Sequence, residues 1–225
     1  MPERPIALVT GASRGIGAAT ARALADTHDL LLGGRDASAL ESLTAELPGA
    51  RAWPVDLTDA DAVAAATADI DRLDVLVHSA GLIELGTVAD TGNESWRRTF
   101  EVNLFAVTEL TRLLLPALRA ANGHVVLVNS GAGLAAKPNW GVYAASKFAL
   151  RAFGDVLRAE ESDVRVTSVF PGRTATDMQR DVRAQEGAEY QPDHYLRPES
   201  VASSISSAVH AGADAHLTEI IVRPA

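Results

Sequence analysis

Cysteine is absent from this 225-residue chain. That excludes disulfides, a thiolate nucleophile and any cysteine-ligated zinc. Aromatic residues are scarce, at 5%, while glycine occurs 17 times. Such a composition suits an α/β protein packed from alanine, aliphatic side chains and closely approaching backbone. Basic charge is also in short supply. Against 29 Asp and Glu stand 20 Lys and Arg, a formal net charge of −9 and a pI of about 5.1. This balance argues against nucleic acid or an anionic membrane as partner. No apolar run reaches the ~18 residues that a membrane helix needs. Met1 to Pro5 lead straight into an apolar segment, without the core and cleavage site of an export signal. A soluble, cytoplasmic protein is expected, and the sequon Asn93-Glu94-Ser95 then reads as a chance match. The 47% of hydrophobic residues allow a large core. The length fits one domain, taken as residues 1–225.

Apolar runs alternate with helical patterns along the chain. Strands are expected at Ile6 to Val9, Leu30 to Leu32, Ala50 to Val55, Leu73 to Val77, Val125 to Val128, Val164 to Phe170 and Leu217 to Val222. Helices are expected after the first strand (Ile16, Ala19, Thr20, Ala23, Leu24), over Ser38 to Leu47, and over Thr58 to Asp71 with a Thr58 cap. A long amphipathic helix begins near Glu94, with Trp96, Phe100, Leu104, Val107 and Leu110 on one face and Pro116 near its end. A further helix begins with Tyr143 and a last one spans Pro198 to His210. Between them, about 173–198 is polar and reads as a substrate loop. This order implies a single-domain, doubly wound Rossmann fold: a mostly parallel seven-stranded sheet with helices on both faces. Ligands of such sheets sit outside the carboxyl ends of the strands.

The groups with chemical potential fall at those ends. Thr10-Gly11-Ala12-Ser13-Arg14-Gly15-Ile16-Gly17 lies between the first strand and its helix. Glycines permit a tight turn, and a helix N-terminus offers unpaired N–H groups, so the turn is a pyrophosphate site. The spacing is Gly-x-x-x-Gly-x-Gly rather than Gly-x-Gly-x-x-Gly. The plainer reading is a turn needed only for packing. After the second strand come Arg35 and Asp36. A carboxylate there suits the ribose of NAD, and a guanidinium suits the extra phosphate of NADP. With Asp36 read as a helix cap, Arg14 and Arg35 favour NADP(H) over NAD(H). Tyr143 and Lys147 stand one helical turn apart, so an ammonium can draw the phenol's pKa down from about 10. A solvated pair on a helix surface is the bland reading. Asn103 alone reads as a structural amide.

Thr10-Gly11-x-x-x-Gly15-x-Gly17, Asn103, Ser130, Tyr143-x-x-x-Lys147 and Pro171-Gly172, in this order, resemble the short-chain dehydrogenase/reductase family over essentially the whole chain. The resemblance implies a nicotinamide-dependent oxidoreductase acting on a small carbonyl or alcohol, with no metal. Its catalytic residues would be Asn103, Ser130, Tyr143 and Lys147. Tyr143 would be the general acid/base and Ser130 the second donor to the substrate oxygen. Lys147 would acidify Tyr143 and hold the nicotinamide ribose, and Asn103 would hold a relay water. Cofactor contacts are implied for Gly11, Ser13, Arg14, Gly15, Ile16, Gly17, Arg35, Asp56, Leu57, Ala80, Gly81, Tyr143, Lys147, Pro171, Gly172, Thr174 and Thr176. The chain departs from the family where His78-Ser79 replaces the usual Asn-Asn, and His78 is read as structural. A homodimer or homotetramer is expected, the dimer through the apolar faces of the helices holding Asn103 and Tyr143. Trp140 and Met178 to Tyr195 would wall the substrate pocket, with Arg180, Arg183 and His194 within reach of a polar group. A regulatory, binding-only protein would not need all four catalytic residues. Non-redox chemistry on the same fold has no residue in its favour.

Overall fold

Ile6 to Val9 are apolar without interruption, and the strand they open (β1, Ile6–Thr10) is covered on both faces. Ala7 and Val9 face one core, and Leu8 faces the other. The computed structural model describes residues 4–225. From β1 the chain runs through α1 (Gly15–Leu24), β2 (Asp29–Gly34), α2 (Ala37–Glu46), β3 (Ala50–Pro54), α3 (Ala60–Thr67) and β4 (Val75–His78). There follow α4 (Asn93–Phe100), a π-helical turn (Glu101–Phe105), α5 (Ala106–Ala121), β5 (His124–Val128) and α6 (Gly141–Glu160). β6 (Arg165–Pro171), α7 (Asp177–Gln185), α8 (Pro198–Val209) and β7 (Glu219–Val222) complete the order. The strands form one sheet in the order β3-β2-β1-β4-β5-β6-β7. Every neighbouring pair is parallel.

The two cores explain the helix placement. α1, α2 and α8 bury Leu24, Leu40, Leu43, Val201 and Ile205 against one face. α3, α5 and α6 bury Val63, Leu110, Leu114, Leu118, Leu150 and Leu157 against the other. At about 25 cal/mol per Å² of apolar surface, such two-sided burial is the main stabilising term of a parallel sheet. The strand order reverses between β1 and β4, and that switch opens a crevice at the carboxyl ends.

Four elements differ from the expectations. The third helix starts at Ala60 and ends at Thr67, and its cap is Asp59, whose side chain accepts from the Ala62 amide. Thr58 lies one residue before that cap, where Asp56 Oδ1 accepts from both its amide and its hydroxyl. The long helix from Glu94 is interrupted by the π-helical turn around Asn103. Pro116 lies inside α5, which runs on to Ala121 and ends on left-handed Asn122 (φ 49°). The polar stretch 173–198 is not a plain loop: it carries α7 and a short 3₁₀ turn, Pro192–His194. No helix among the described residues is long and apolar enough to cross a membrane.

Candidate active site

A cleft of about 720 Å³ runs along the carboxyl ends of the strands. Every proposed cofactor contact lines it, from Gly11 to Thr176, together with Ser130, Tyr143 and Lys147. Asn103 does not reach its surface and is fully buried behind it.

One end is built from backbone. Gly11 has φ +64°, and a Cβ there would sit 2.8 Å from the Ala80 nitrogen. A Cβ on Gly17 would collide with the Gly11 carbonyl, so neither of these two positions takes a larger residue. Thr10 ties the turn to the segment after β4: its hydroxyl donates to the Val77 carbonyl and accepts from the Ser79 and Ala80 amides. α1 begins at Gly15 with no side-chain cap and no acidic residue in its first turn. Its N–H groups and positive dipole end therefore stay available to an anion. Arg14 and Arg35 stand exposed beside the turn. Asp36 is spent as the α2 cap, accepting from the Ala39 amide at 3.1 Å and the Ser38 hydroxyl at 2.8 Å. Those bonds hold its carboxyl below the usual range. Asp56 is likewise held low, chiefly by the Thr58 amide bond. The cradle and its free donors fit the pyrophosphate of a dinucleotide.

The other end is built from buried side chains. α6 carries Tyr143 and Lys147 on one face, 6% and 4% exposed. Burial alone brings the Lys147 ammonium down to about 8. Its Nζ donates to the Val128 carbonyl at 3.0 Å. An ammonium has three donors, so donors remain for a ligand. Burial raises the Tyr143 phenol above its ordinary value, and a hydrogen bond with Ser130 offsets part of that rise. Nζ lies 5.8 Å from the Tyr143 ring centre, and the lowering contact is Ser130.

Asn103 joins three segments. Its Oδ1 accepts from the Leu82 amide, and its Nδ2 donates to the Leu82 carbonyl (2.8 Å) and the Ser146 hydroxyl (3.0 Å). Both amide protons are committed, so its side chain is a brace. A water here would need the second lone pair of Oδ1 or backbone loosened by the π-helical turn. A Cβ on Gly81 would lie 3.5 Å from Asn103 Oδ1 and 3.9 Å from Lys147 Nζ, so the two groups converge on that glycine.

Three bracing residues escaped the sequence reading: Thr10 as a hydrogen-bonding post, Asn129 and Ser146. Asn129 accepts from the Ser130 amide and donates to the Lys147 carbonyl, holding both catalytic candidates. An amide residue placed just before Ser130 at a strand end was the available signal. His78 is structural as expected. Thr111 gives its proton to the Val107 carbonyl, so His78 must donate to Thr111 from Nε2. Its Nδ1 is buried without a partner, and burial pushes its pKa down to about 3. Of the polar substrate contacts, only His194 lines the cleft. Arg180 pairs with Asp177 and Arg183 with Glu186. Trp140, Met178 and Tyr195 form the wall, whereas Tyr190 lies outside it, its ring tilted against that of Tyr195 at 5.7 Å.

Comparison with known proteins agrees with this geometry. The family model described as short chain dehydrogenase matches residues 5–187. Glycine betaine reductase ATRR of Emericella nidulans is 38% identical over 97% of this chain, which spans only 18% of that protein. Dehydrogenase/reductase SDR family member 7B of Bos taurus is 37% identical over 82% of this chain and 62% of its own length. The alcohol dehydrogenase of Thermococcus sibiricus, solved in complex with 5-hydroxy-NADP, superposes with a TM-score of 0.90 at 28% identity, over 99% of this chain and 97% of that one. The chain belongs to the short-chain dehydrogenase/reductase family.

Proposed function

We propose that the protein is an NADP(H)-dependent oxidoreductase interconverting a small carbonyl compound and a secondary alcohol, with Tyr143 as general acid/base. One observation carries the reading: Ser130, Tyr143 and Lys147 share one cleft with a glycine cradle flanked by two exposed arginines. The nicotinamide, when bound, supplies or takes up the hydride. The chain's own residues handle the proton. Burial keeps the Tyr143 phenol protonated at neutral pH, the state a donor to a carbonyl oxygen requires. Ser130 would donate to the same oxygen and fix its direction. Lys147, charged below about pH 8, would favour the phenolate left behind and offer its remaining donors to the ribose. Asn103 and Asn129 would hold this group in register, and a water near Asn103 would resupply the proton.

The preference for NADP(H) rests on Arg14 and Arg35 being exposed at the cradle while Asp36 is committed to its cap. The Thermococcus sibiricus relative, solved with 5-hydroxy-NADP, supports it. A panel of aldehydes, ketones and secondary alcohols, assayed with NADPH and NADH at equal concentration, tests the reading. NADPH should be preferred, and replacing both arginines with alanine should erase the preference. Equal use of both cofactors by the wild type, unchanged in that variant, would sink the assignment. Phe105, Phe148 and Val156 are 51%, 42% and 54% exposed on the two helices expected at a dimer interface. They support a homodimer, from which a homotetramer could be built.

A further inference from the structure

The charge of the cleft runs against that of the protein around it. The chain carries −9, yet Arg14, Arg35, Lys137, Lys147, Arg173 and Arg223 line the cleft against only two carboxylates, Asp56 and Asp177. Both carboxylates are engaged elsewhere. Asp56 accepts from Thr58 at the end of β3. Asp177 heads α7 between Arg14 and Arg180. The cofactor reading uses Arg14, Arg35 and Lys147. Lys137, Arg173 and Arg223 remain unexplained, and they gather at the Tyr143 end.

Their geometry is specific. Arg223 follows β7, and its Nη1 donates to the carbonyls of Phe170 (2.7 Å) and Val222 (3.0 Å). The guanidinium is thereby fixed at the end of the sheet. A Cβ on Gly131, the residue after Ser130, would sit 3.4 Å from Arg223 Nη2. Lys137 Nζ lies 6.0 Å from the Trp140 ring centre, and the Arg173 guanidinium carbon lies 5.8 Å from it. Trp140 in turn meets the Tyr143 ring edge-on at 5.9 Å. Arg173 is neutralised by a two-pronged pair with Glu186 at 2.9 and 2.7 Å. Among the described residues, Lys137 and Arg223 have no carboxylate partner. Two uncompensated cations in a concave wall of an acidic protein make a local attractor for anions.

We propose that the substrate carries a carboxylate near its reacting carbonyl or alcohol carbon, received by Lys137 and Arg223. The inference rests on the oxidoreductase reading above and narrows its substrate class. The carboxylate takes no part in the bond changes. It places the reacting oxygen against Ser130 and Tyr143, while Arg173 holds the Trp140 wall.

Matched pairs test this, with NADPH consumption as readout: phenylglyoxylate against its methyl ester, and acetoacetate against its methyl ester. The acid should exceed the ester in kcat/KM by about 10-fold or more, the worth of a hydrogen-bonded charge pair. In Lys137→Gln/Arg223→Gln that ratio should collapse, while Lys137→Arg/Arg223→Lys should keep most of it. A wild type indifferent to the charge, or a ratio unmoved in the glutamine variant, overturns the proposal. A binding arm is independent of turnover: mandelate and its methyl ester are titrated calorimetrically into the enzyme–NADP⁺ complex. Tighter binding of mandelate, lost in the glutamine variant, supports the anion site. Equal binding overturns it, and turnover of the esters would then leave the oxidoreductase reading standing. Selective mandelate binding without turnover of any carbonyl would overturn that reading and not this one.

Discussion

The two ends of the cleft are made in opposite ways. At the glycine turn, shape comes from backbone that tolerates no Cβ, and charge comes from exposed arginines. At Tyr143, both shape and charge come from side chains buried behind hydrogen bonds from Asn103, Asn129 and Ser146. An exposed charge is screened by salt and contributes little to stability. A buried titratable group is nearly blind to salt, but its protonation state is coupled to folding. The charges beside the cradle can therefore be tuned at small cost to the fold, whereas the Tyr143 end is part of the fold's stability.

The largest effect expected from this contrast is in acid. His78, at the end of β4, and His124, at the start of β5, are each held neutral in the native state, down to about pH 3. In the unfolded chain they take up a proton near pH 6.5. Between those values the unfolded state binds more protons, so stability rises with pH and is lost as pH falls through the window. In His78→Asn, the loss of unfolding free energy between about pH 7 and about pH 4.5 should shrink by roughly 2–3 kcal/mol. Chemical denaturation at both pH values measures it. A loss equal to that of the wild type would show that His78 is not the buried acid-sensitive group.

The smallest effect concerns the opposite end. On the proposed NADP(H) reading, Arg14, with a side chain 75% exposed, and Arg35 should lose grip on the cofactor's extra phosphate as salt rises. Apparent NADPH affinity should fall several-fold between about 0.05 and 0.5 M salt, and NADH affinity by less. Parallel salt curves for the two cofactors would break the contrast.

Much of this was legible in the sequence because strand alternation and motif spacing are local. The seven strands, the glycine turn, the Asp36 cap and the Tyr143–Lys147 turn all follow from short windows. What escaped depended on distant partners or on flat patterns. In Ala60–Thr67 and the residues beyond, alanine is frequent and gives no signal of where the helix stops. Thr58 and Asp59 both suit a cap by residue type, and only the geometry shows Asp59 accepting from the Ala62 amide while Thr58 donates to Asp56. α7 has few apolar residues, so its period was faint. The π-helical turn leaves the apolar pattern unbroken, yet it seats Asn103 against Leu82, 21 residues away. The origin of the Tyr143 shift is a matter of ångströms, which spacing on a helix cannot supply.

The central claim is that the two ends are separable, one setting affinity for the cofactor and the other doing chemistry. A crossed measurement tests it most directly: kcat and NADPH dissociation constant for Tyr143→Phe and for Arg14→Ala/Arg35→Ala, side by side. The phenylalanine variant should lose about 1,000-fold in kcat while binding NADPH within about threefold of wild type, at most the scale of one neutral hydrogen bond. The arginine variant should bind NADPH about 10-fold or more weakly and keep its kcat at saturation. Near-wild-type turnover in Tyr143→Phe, or loss of both quantities together in both variants, would contradict the account.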